Sequence, residues 1–245
     1  MIALKKISLF LLVALAFVGC SKHDPILPGT RYDIFESGDI KIENTELPDL
    51  SSTTKNISGD ENCDYTQDSS NSILKGDKKI FSGFTIGSFV KSNQSPICAG
   101  NFIYTGFSSG EVVKINKNNG NLIWSTDVFK ESSLIGGTSV VDIIAHVGVD
   151  KNFVYAGGLG DAFCKINAGN GNKVWCLDIS VPVDFIMVDD FLFVVGADNH
   201  LYAINSKDGK VYWKTEIKKQ VKPIYNGEFI KVGRYKINYK NGALR

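Results

Sequence analysis

From about residue 78 onward, short runs of β-branched and aromatic residues alternate with Gly, Asn and Asp, and no stretch keeps a helical period. This pattern predicts strands joined by tight turns. Self-comparison exposes a repeat: EVVKINKNNGNLIW at 111–124 returns as DAFCKINAGNGNKVW at 161–175 and as HLYAINSKDGKVYW at 200–213. In each copy Ile-Asn is followed by three residues before a Gly and by three more before a Trp. Ile115, Asn116, Gly120 and Trp124 thus align with Ile166, Asn167, Gly171 and Trp175 and with Ile204, Asn205, Gly209 and Trp213. The match absorbs all 3 Trp of the chain. Each copy reads as two strands around a tight hairpin turn, with Gly where positive φ is needed and a Trp too large to bury within its own hairpin.

Upstream of each copy stand two more apolar runs: SPICAG with FIYTGF, SVVDIIAHVGV with FVYAGGL, and VDFIMVD with FLFVVGA. Four short antiparallel strands per unit of roughly 40 residues is the sequence form of a propeller blade. Residues 222–245 hold the same spacing at Ile237, Asn238 and Gly242, and the Trp would fall one position after Arg245. The expected fold is all-β, a partial β-propeller of about three and a half to four four-stranded blades over 78–245. We read it as the first half of a longer propeller from a shortened or split gene; the alternative is a degenerate closing unit at Arg245.

The N-terminus has another texture. Lys5 and Lys6 precede the apolar run ISLFLLVALAFVG at 7–19. That run is too short for a spanning helix, which needs roughly 20 residues, but it fits an export signal over 1–19. FVGC at 17–20 resembles a lipobox, which makes Cys20 the expected lipid attachment site, and Ser21 after it resembles an outer-membrane destination. Residues 20–77 include SSTTKNISGDENCDYTQDSSNS at 51–72, which is polar, acidic and without period. It has little to bury against its ordering entropy, so 20–77 is expected to be a flexible acidic tether.

Charge sharpens this division. The whole chain carries 27 Lys+Arg against 26 Asp+Glu, a formal +1, which gives no footing for nucleic-acid binding. Yet ten acids crowd residues 31–70, and eleven bases lie in 206–245 against Asp208, Glu216 and Glu228. The basic stretch reads as the solvated outer face of blades in preference to a lipid-binding patch, because its lysines interleave with apolar residues at strand period. Four cysteines remain after Cys20: Cys63, Cys98, Cys164 and Cys176. An exported chain permits disulfides, and Cys164 and Cys176 flank a hairpin turn across which they can face each other; the preferred reading is two small apolar strand residues. No Cys/His spacing suits a metal, and no metal or cofactor is expected.

Repeat and lipobox together resemble the BamB family of outer-membrane protein assembly lipoproteins, whose repeats are of the pyrroloquinoline-quinone type. LPGTRYDIF at 27–35 and KKIFSGFTIGSF at 78–89 are similar to the N-terminal segments of alphaproteobacterial members. The resemblance implies a non-enzymatic propeller at the periplasmic face of the outer membrane. It also implies, as partners, the POTRA domains of the barrel-assembly protein BamA and unfolded outer-membrane proteins. The family's contact connections between central blades map first onto KTEIKKQVKP after Trp213, so the implied partner-binding residues are Lys218, Lys219, Gln220 and Val221, although the family's Leu/Arg motif is missing there. Exposed strand edges offer a second route, pairing with extended precursors.

Two rivals stand beside this reading. Quinone-dependent dehydrogenases share the repeat, but they need a complete ring, a calcium site and often adjacent paired cysteines; no Cys-Cys pair occurs here, and His23, His146 and His200 stand apart from any nucleophile motif. The other rival is a truncated or split-gene remnant without independent function, since a partial ring leaves sheet edges unsealed.

Overall fold

A computed structural model describes residues 40–51, 53–55, 57–60, 62–83, 95–129 and 147–245. The export-signal run, Cys20, LPGTRYDIF, most of FSGFTIGSF and the start of SVVDIIAHVGV lie outside the described residues. All regular structure described is β, in five sheets. The first holds β1 (Tyr65–Gln67), β2 (Ser72–Lys75) and β3 (Lys78–Ser82). The second holds β4 (Ile97–Ala99), β5 (Phe102–Gly106), β6 (Glu111–Asn116) and β7 (Leu122–Asp127). The third holds β8 (Gly148–Asp150), β9 (Phe153–Gly157), β10 (Phe163–Asn167) and β11 (Lys173–Leu177). β12 (Ile186–Val188), β13 (Phe191–Val195), β14 (His200–Asn205) and β15 (Val211–Glu216) make the fourth; β16 (Ile224–Tyr225), β17 (Phe229–Val232) and β18 (Tyr235–Asn238) make the fifth. Every sheet pairs consecutive strands antiparallel, as expected of propeller blades.

The core lies between sheets, which is why single blades cannot stand alone. Ile73 and Tyr65 pack with Ile103, Phe107 and Ile115 across the first and second sheets. Trp124 and Val112 pack with Val154, Ala156 and Ile166 across the second and third. Phe163 and Val181 meet Leu192, Val194 and Ile204 across the third and fourth, and Trp213 and Phe193 meet Ile230, Val232 and Ile237 across the fourth and fifth.

The repeat motif is the device that locks these faces. Asn116 accepts the Gly120 amide at its backbone carbonyl (2.9 Å), while its side-chain oxygen accepts the Asn118 amide (2.9 Å). Asn167, Asn205 and Asn238 close the same loop on Gly171, Gly209 and Gly242, with distances of 2.8, 2.9 and 2.9 Å. The spacing Asn-x3-Gly is thus one helical-type turn ended by a left-handed Gly, wider than the two-residue hairpin turn the sequence suggests. Each Gly then lies on the previous sheet's Trp: a Cβ on Gly171 would stand 2.9 Å from Trp124, one on Gly209 3.0 Å from Trp175, and one on Gly242 2.7 Å from Trp213. Each indole N–H also donates across the sheet boundary, Trp124 to the Ala168 carbonyl (3.1 Å), Trp175 to Ser206 (3.2 Å) and Trp213 to Tyr239 (3.0 Å). Gly120 rests in the same way on Ile80, where an added Cβ would stand 2.6 Å from the Ile80 carbonyl oxygen. β3 therefore supplies Ile80 where the other sheets supply Trp.

Gly171→Ala tests the interlock. It meets both a left-handed φ of +77° and the indole, so the expected cost is about 2–4 kcal/mol in urea denaturation. Gly76→Ala, at φ +57° with nothing within 4 Å, should lose only about 1 kcal/mol. Equal losses would show that the Gly-Trp contact carries no stability.

Two expectations are corrected. The tether does not extend over 40–77, because β1 and β2 already form a sheet there and the described residues of 40–60 run from the fourth sheet to the fifth and then back across the fourth, third and second. The Glu43 amide donates to Val211 (2.9 Å), the Leu47 amide to Lys240 (2.8 Å), the Lys55 amide to Met187 (2.8 Å) and the Asp60 amide to Cys98 (2.7 Å), while the Ile57 carbonyl accepts from Val149 (2.7 Å). The strap's few apolar residues are the ones used: Leu47 is buried beside Trp213, Tyr225 and Ile237, and Ile57 beside Phe185. Its acids find bases on the sheets, as Asp49 does with Lys240 (2.5 Å), which closes part of the charge asymmetry. Backbone pairing and a handful of contacts outweigh the polarity from which a tether was inferred.

The preferred reading of the cysteines also falls. Cys164 and Cys176 stand opposite each other in β10 and β11 and form a disulfide, and Cys63 joins Cys98 between the first two sheets. The register of β10 and β11 sets Cys164 directly opposite Cys176, with side chains on the same face of the sheet, and so brings the two sulfurs together.

Candidate partner-binding face

A meander alternates its turns between two ends of each sheet. The turns after β12 and β14 lie at one end, the end the strap crosses at Asp189 and Val211; the β13–β14 loop and the β15–β16 connection lie at the other. Lys218, Lys219, Gln220 and Val221 occupy that connection, so the structure does bring these four residues to one loop face.

The connection is held from below. Ile217 is buried and its amide donates to the Asn199 carbonyl (2.8 Å). Gln220 donates through Nε2 to the Ala197 carbonyl (2.8 Å) and to Asn199 Oδ1 (3.0 Å), which ties it to the β13–β14 loop. Val221 packs against the core between the fourth and fifth sheets. Lys222 Nζ bonds Asp184 Oδ2 (2.8 Å), joining this connection to the one before β12. Gln220 and Val221 are thereby committed to structure. Lys218 and Lys219 are exposed on a backbone that cannot wander, an arrangement able to meet an acidic surface with little ordering cost.

The neighbouring loop is equally stiff. The Tyr202 hydroxyl donates to Asp198 Oδ2 (2.5 Å), and burial first, then the Asp198 hydrogen bond and charge, push the phenol well above its ordinary value. His200 Nδ1 lies 2.9 Å from the same carboxylate. A cavity of 240 Å³ is lined by Ile57, Pro96, Ile97, Gly148, Phe185 and Lys222. Among the described residues no group of three or more His, Cys, Asp or Glu is placed to hold a metal ion.

The sequence reading missed a second set of polar residues. Lys114 and Lys165 precede the Ile-Asn of their copies, and both are buried, with Nζ donating across the sheet boundary to Ala168 (2.7 Å) and Ser206 (2.8 Å). Each ammonium also lies over a ring, Phe102 at 3.9 Å and Phe153 at 3.8 Å. The signal was present: Lys-Ile-Asn occurs at 114, 165 and 236, with Ala203 the exception.

Comparison with known proteins follows the same sheets. The family model of the outer membrane protein assembly factor BamB matches residues 85–215. Among curated relatives, BamB of Legionella pneumophila (strain Paris) is 24% identical over 125 residues, 51% of this chain and 33% of that protein. BamB of Alkalilimnicola ehrlichii is 24% identical over 127 residues, 52% of this chain and 33% of that one. The matched segment thus spans about a third of the length of these relatives. The crystal structure of BamB from Moraxella catarrhalis superposes with a TM-score of 0.60 at 16% identity, covering 69% of this chain and 54% of that one, a likeness of fold. The matched segment takes in β4 to nearly the end of β15, with all three indoles and the glycines Gly120, Gly171 and Gly209, and on that ground the chain belongs to the family of the outer membrane protein assembly factor BamB.

Proposed function

We propose that this protein is a non-enzymatic, lipid-anchored scaffold of the machinery that assembles outer-membrane β-barrel proteins. Cys20 holds it at the periplasmic face of the outer membrane, and its loop face binds the POTRA domains of BamA. Unfolded outer-membrane proteins are its clients, and no cofactor takes part. The observation that supports this reading is the family match over 85–215, set on sheets whose connecting loops are braced and present Lys218 and Lys219 outward. A scaffold needs a rigid surface more than a reactive one, and hydrogen-bonded loops on a blade provide it.

The test is co-purification. Tagged protein solubilised from outer membranes should bring down BamA, and Lys218→Glu with Lys219→Glu should weaken the capture by about three- to tenfold, the range for two rim charges. Cys20→Ala should release the chain from membranes. If BamA never accompanies the wild-type protein, the scaffold reading fails; if the Cys20 variant stays membrane-bound, the anchor reading fails.

A further inference from the structure

The buried lysines of the second and third sheets occupy equivalent places but differ in their counter-charges. Phe102 pairs with Asn116 and with Ala99, and Phe153 pairs with Asn167 and with Asp150, so Ala99 and Asp150 are counterparts. Asn152 and Asp190 are counterparts too: each directly precedes the Phe of its sheet, and each carbonyl accepts the amide that follows the Lys-Ile-Asn or Ala-Ile-Asn loop, from Ala168 (2.9 Å) and Ser206 (2.8 Å). Burial lowers the Lys165 ammonium's affinity for its proton, and the charges of Asp150, on its own sheet, and Asp190, on the next, oppose that from beyond ion-pair distance, each acid being bonded to another lysine, Lys55 and Lys207. Lys114 has Ala99 and Asn152 in those places, and burial alone acts on it. Among the described residues it forms no ion pair, and a buried ammonium without a counter-charge is costly.

A groove of 850 Å³ opens beside Ala99 and Asn152, between the second and third sheets at the strap end. Lys114 lines it with Phe102, Tyr104 and Phe153, and Lys55, Asp150 and Lys151 stand on its rim. Asp150 is already occupied by Lys55 (2.6 Å). Lys114 spends one N–H on Ala168 and keeps two. The adjacent interface carries two carboxylates around its lysine, whereas the one carboxylate at this groove is taken by Lys55.

We propose that this groove is a binding site for a monoanionic carboxylate carried on an apolar or aromatic group, with Lys114 as the charge partner. The ring walls suit the apolar part, and a mobile acid supplies what Asp150 and Asp190 supply to Lys165. Asp150 on the rim and the Ala168 carbonyl repel a second negative charge, which favours a carboxylate over a phosphate dianion. The site is independent of any role in barrel assembly.

Equilibrium dialysis of the full chain in detergent against radiolabelled phenylacetate tests this. Wild type should retain one equivalent, and Lys114→Met should bind about tenfold or more weakly, as loss of a charged hydrogen bond requires. Lys165→Met should bind as wild type does. Asn152→Asp places the counterpart of Asp190 in an exposed position beside Lys114, and it should displace the ligand while leaving the circular dichroism spectrum unchanged. Should Lys114→Met fail to fold, Asn152→Asp decides alone. Retention of phenylacetate unchanged in Lys114→Met or in Asn152→Asp, absence of binding to wild type, or displacement by inorganic phosphate as readily as by acetate overturns the proposal.

Discussion

Trp213→Ala should lower the unfolding free energy by about 3–5 kcal/mol, a large part of what a domain of this size has to lose. Three effects combine. The indole is buried in the core between the fourth and fifth sheets, so truncation removes apolar contact and leaves a cavity beside Phe193 and Ile237. Gly242 has come to 2.7 Å from the ring at the position a Cβ would take, and no side chain is there to fill the void. The Tyr239 carbonyl loses its indole donor. Trp175→Ala should cost less, because Trp175 is only partly buried, whereas Trp124→Ala should approach Trp213→Ala. Urea denaturation of the full chain followed by circular dichroism ranks the three. Were Trp175 the most costly, sheet-to-sheet locking by buried indoles would be the wrong account of this fold.

Loss of the Cys63–Cys98 disulfide should cost about 4 kcal/mol, from the chain entropy of closing a loop with a sequence separation of 35. Loss of Cys164–Cys176, separated by 12, should cost nearer 3 kcal/mol. The consequences differ more than the energies. Cys164–Cys176 links two strands already paired within one sheet, so its loss leaves the contacts between sheets in place. Cys63–Cys98 joins the chain just before the first sheet to β4 of the second, and the strap's Asp60 amide is bonded to the carbonyl of the same Cys98. In Cys63→Ala/Cys98→Ala the amides of Asp60 and Lys55 should therefore exchange with solvent markedly faster, while those of β13 and β14 should speed up only in proportion to the loss of global stability. The comparison is made by hydrogen exchange on wild type, on this variant and on Cys164→Ala/Cys176→Ala, which keeps the first staple. Strap amides that exchange alike in all three would show that the backbone bonds of 40–60 hold without the staple.

Both expectations depend on features of unequal legibility. The indoles were visible because the motif repeats at fixed spacing, and a repeated Gly four residues before a Trp already implies strand, turn and a large group in want of a partner. What the chain could not say is who that partner is. The Gly of one copy covers the Trp of the copy before it, a contact between residues 29 to 47 apart that only the stacking of sheets creates. The first sheet was overlooked for a related reason. Its Ile80 takes the place of the indole and its loop lacks the Ile-Asn, so no self-match reveals it, although Gly76 stands four residues before Ile80 just as Gly120 stands before Trp124.

The chain alone determined the β class, the repeat, the blade-like meander and the kinship, because strand period, turn chemistry and motif spacing are local properties written into neighbouring residues. Tertiary structure decided the rest. It turned a polar segment into a strap, since backbone groups of 40–60 find partners 38 to 193 residues further along the chain, and composition does not encode such pairing. It joined Cys164 to Cys176 and Cys63 to Cys98, because side-chain facing depends on register. It also separated Lys114 from Lys165: the two are identical in their local motif, and what distinguishes them is an Ala and an Asn on one pair of sheets where two Asp stand on the next.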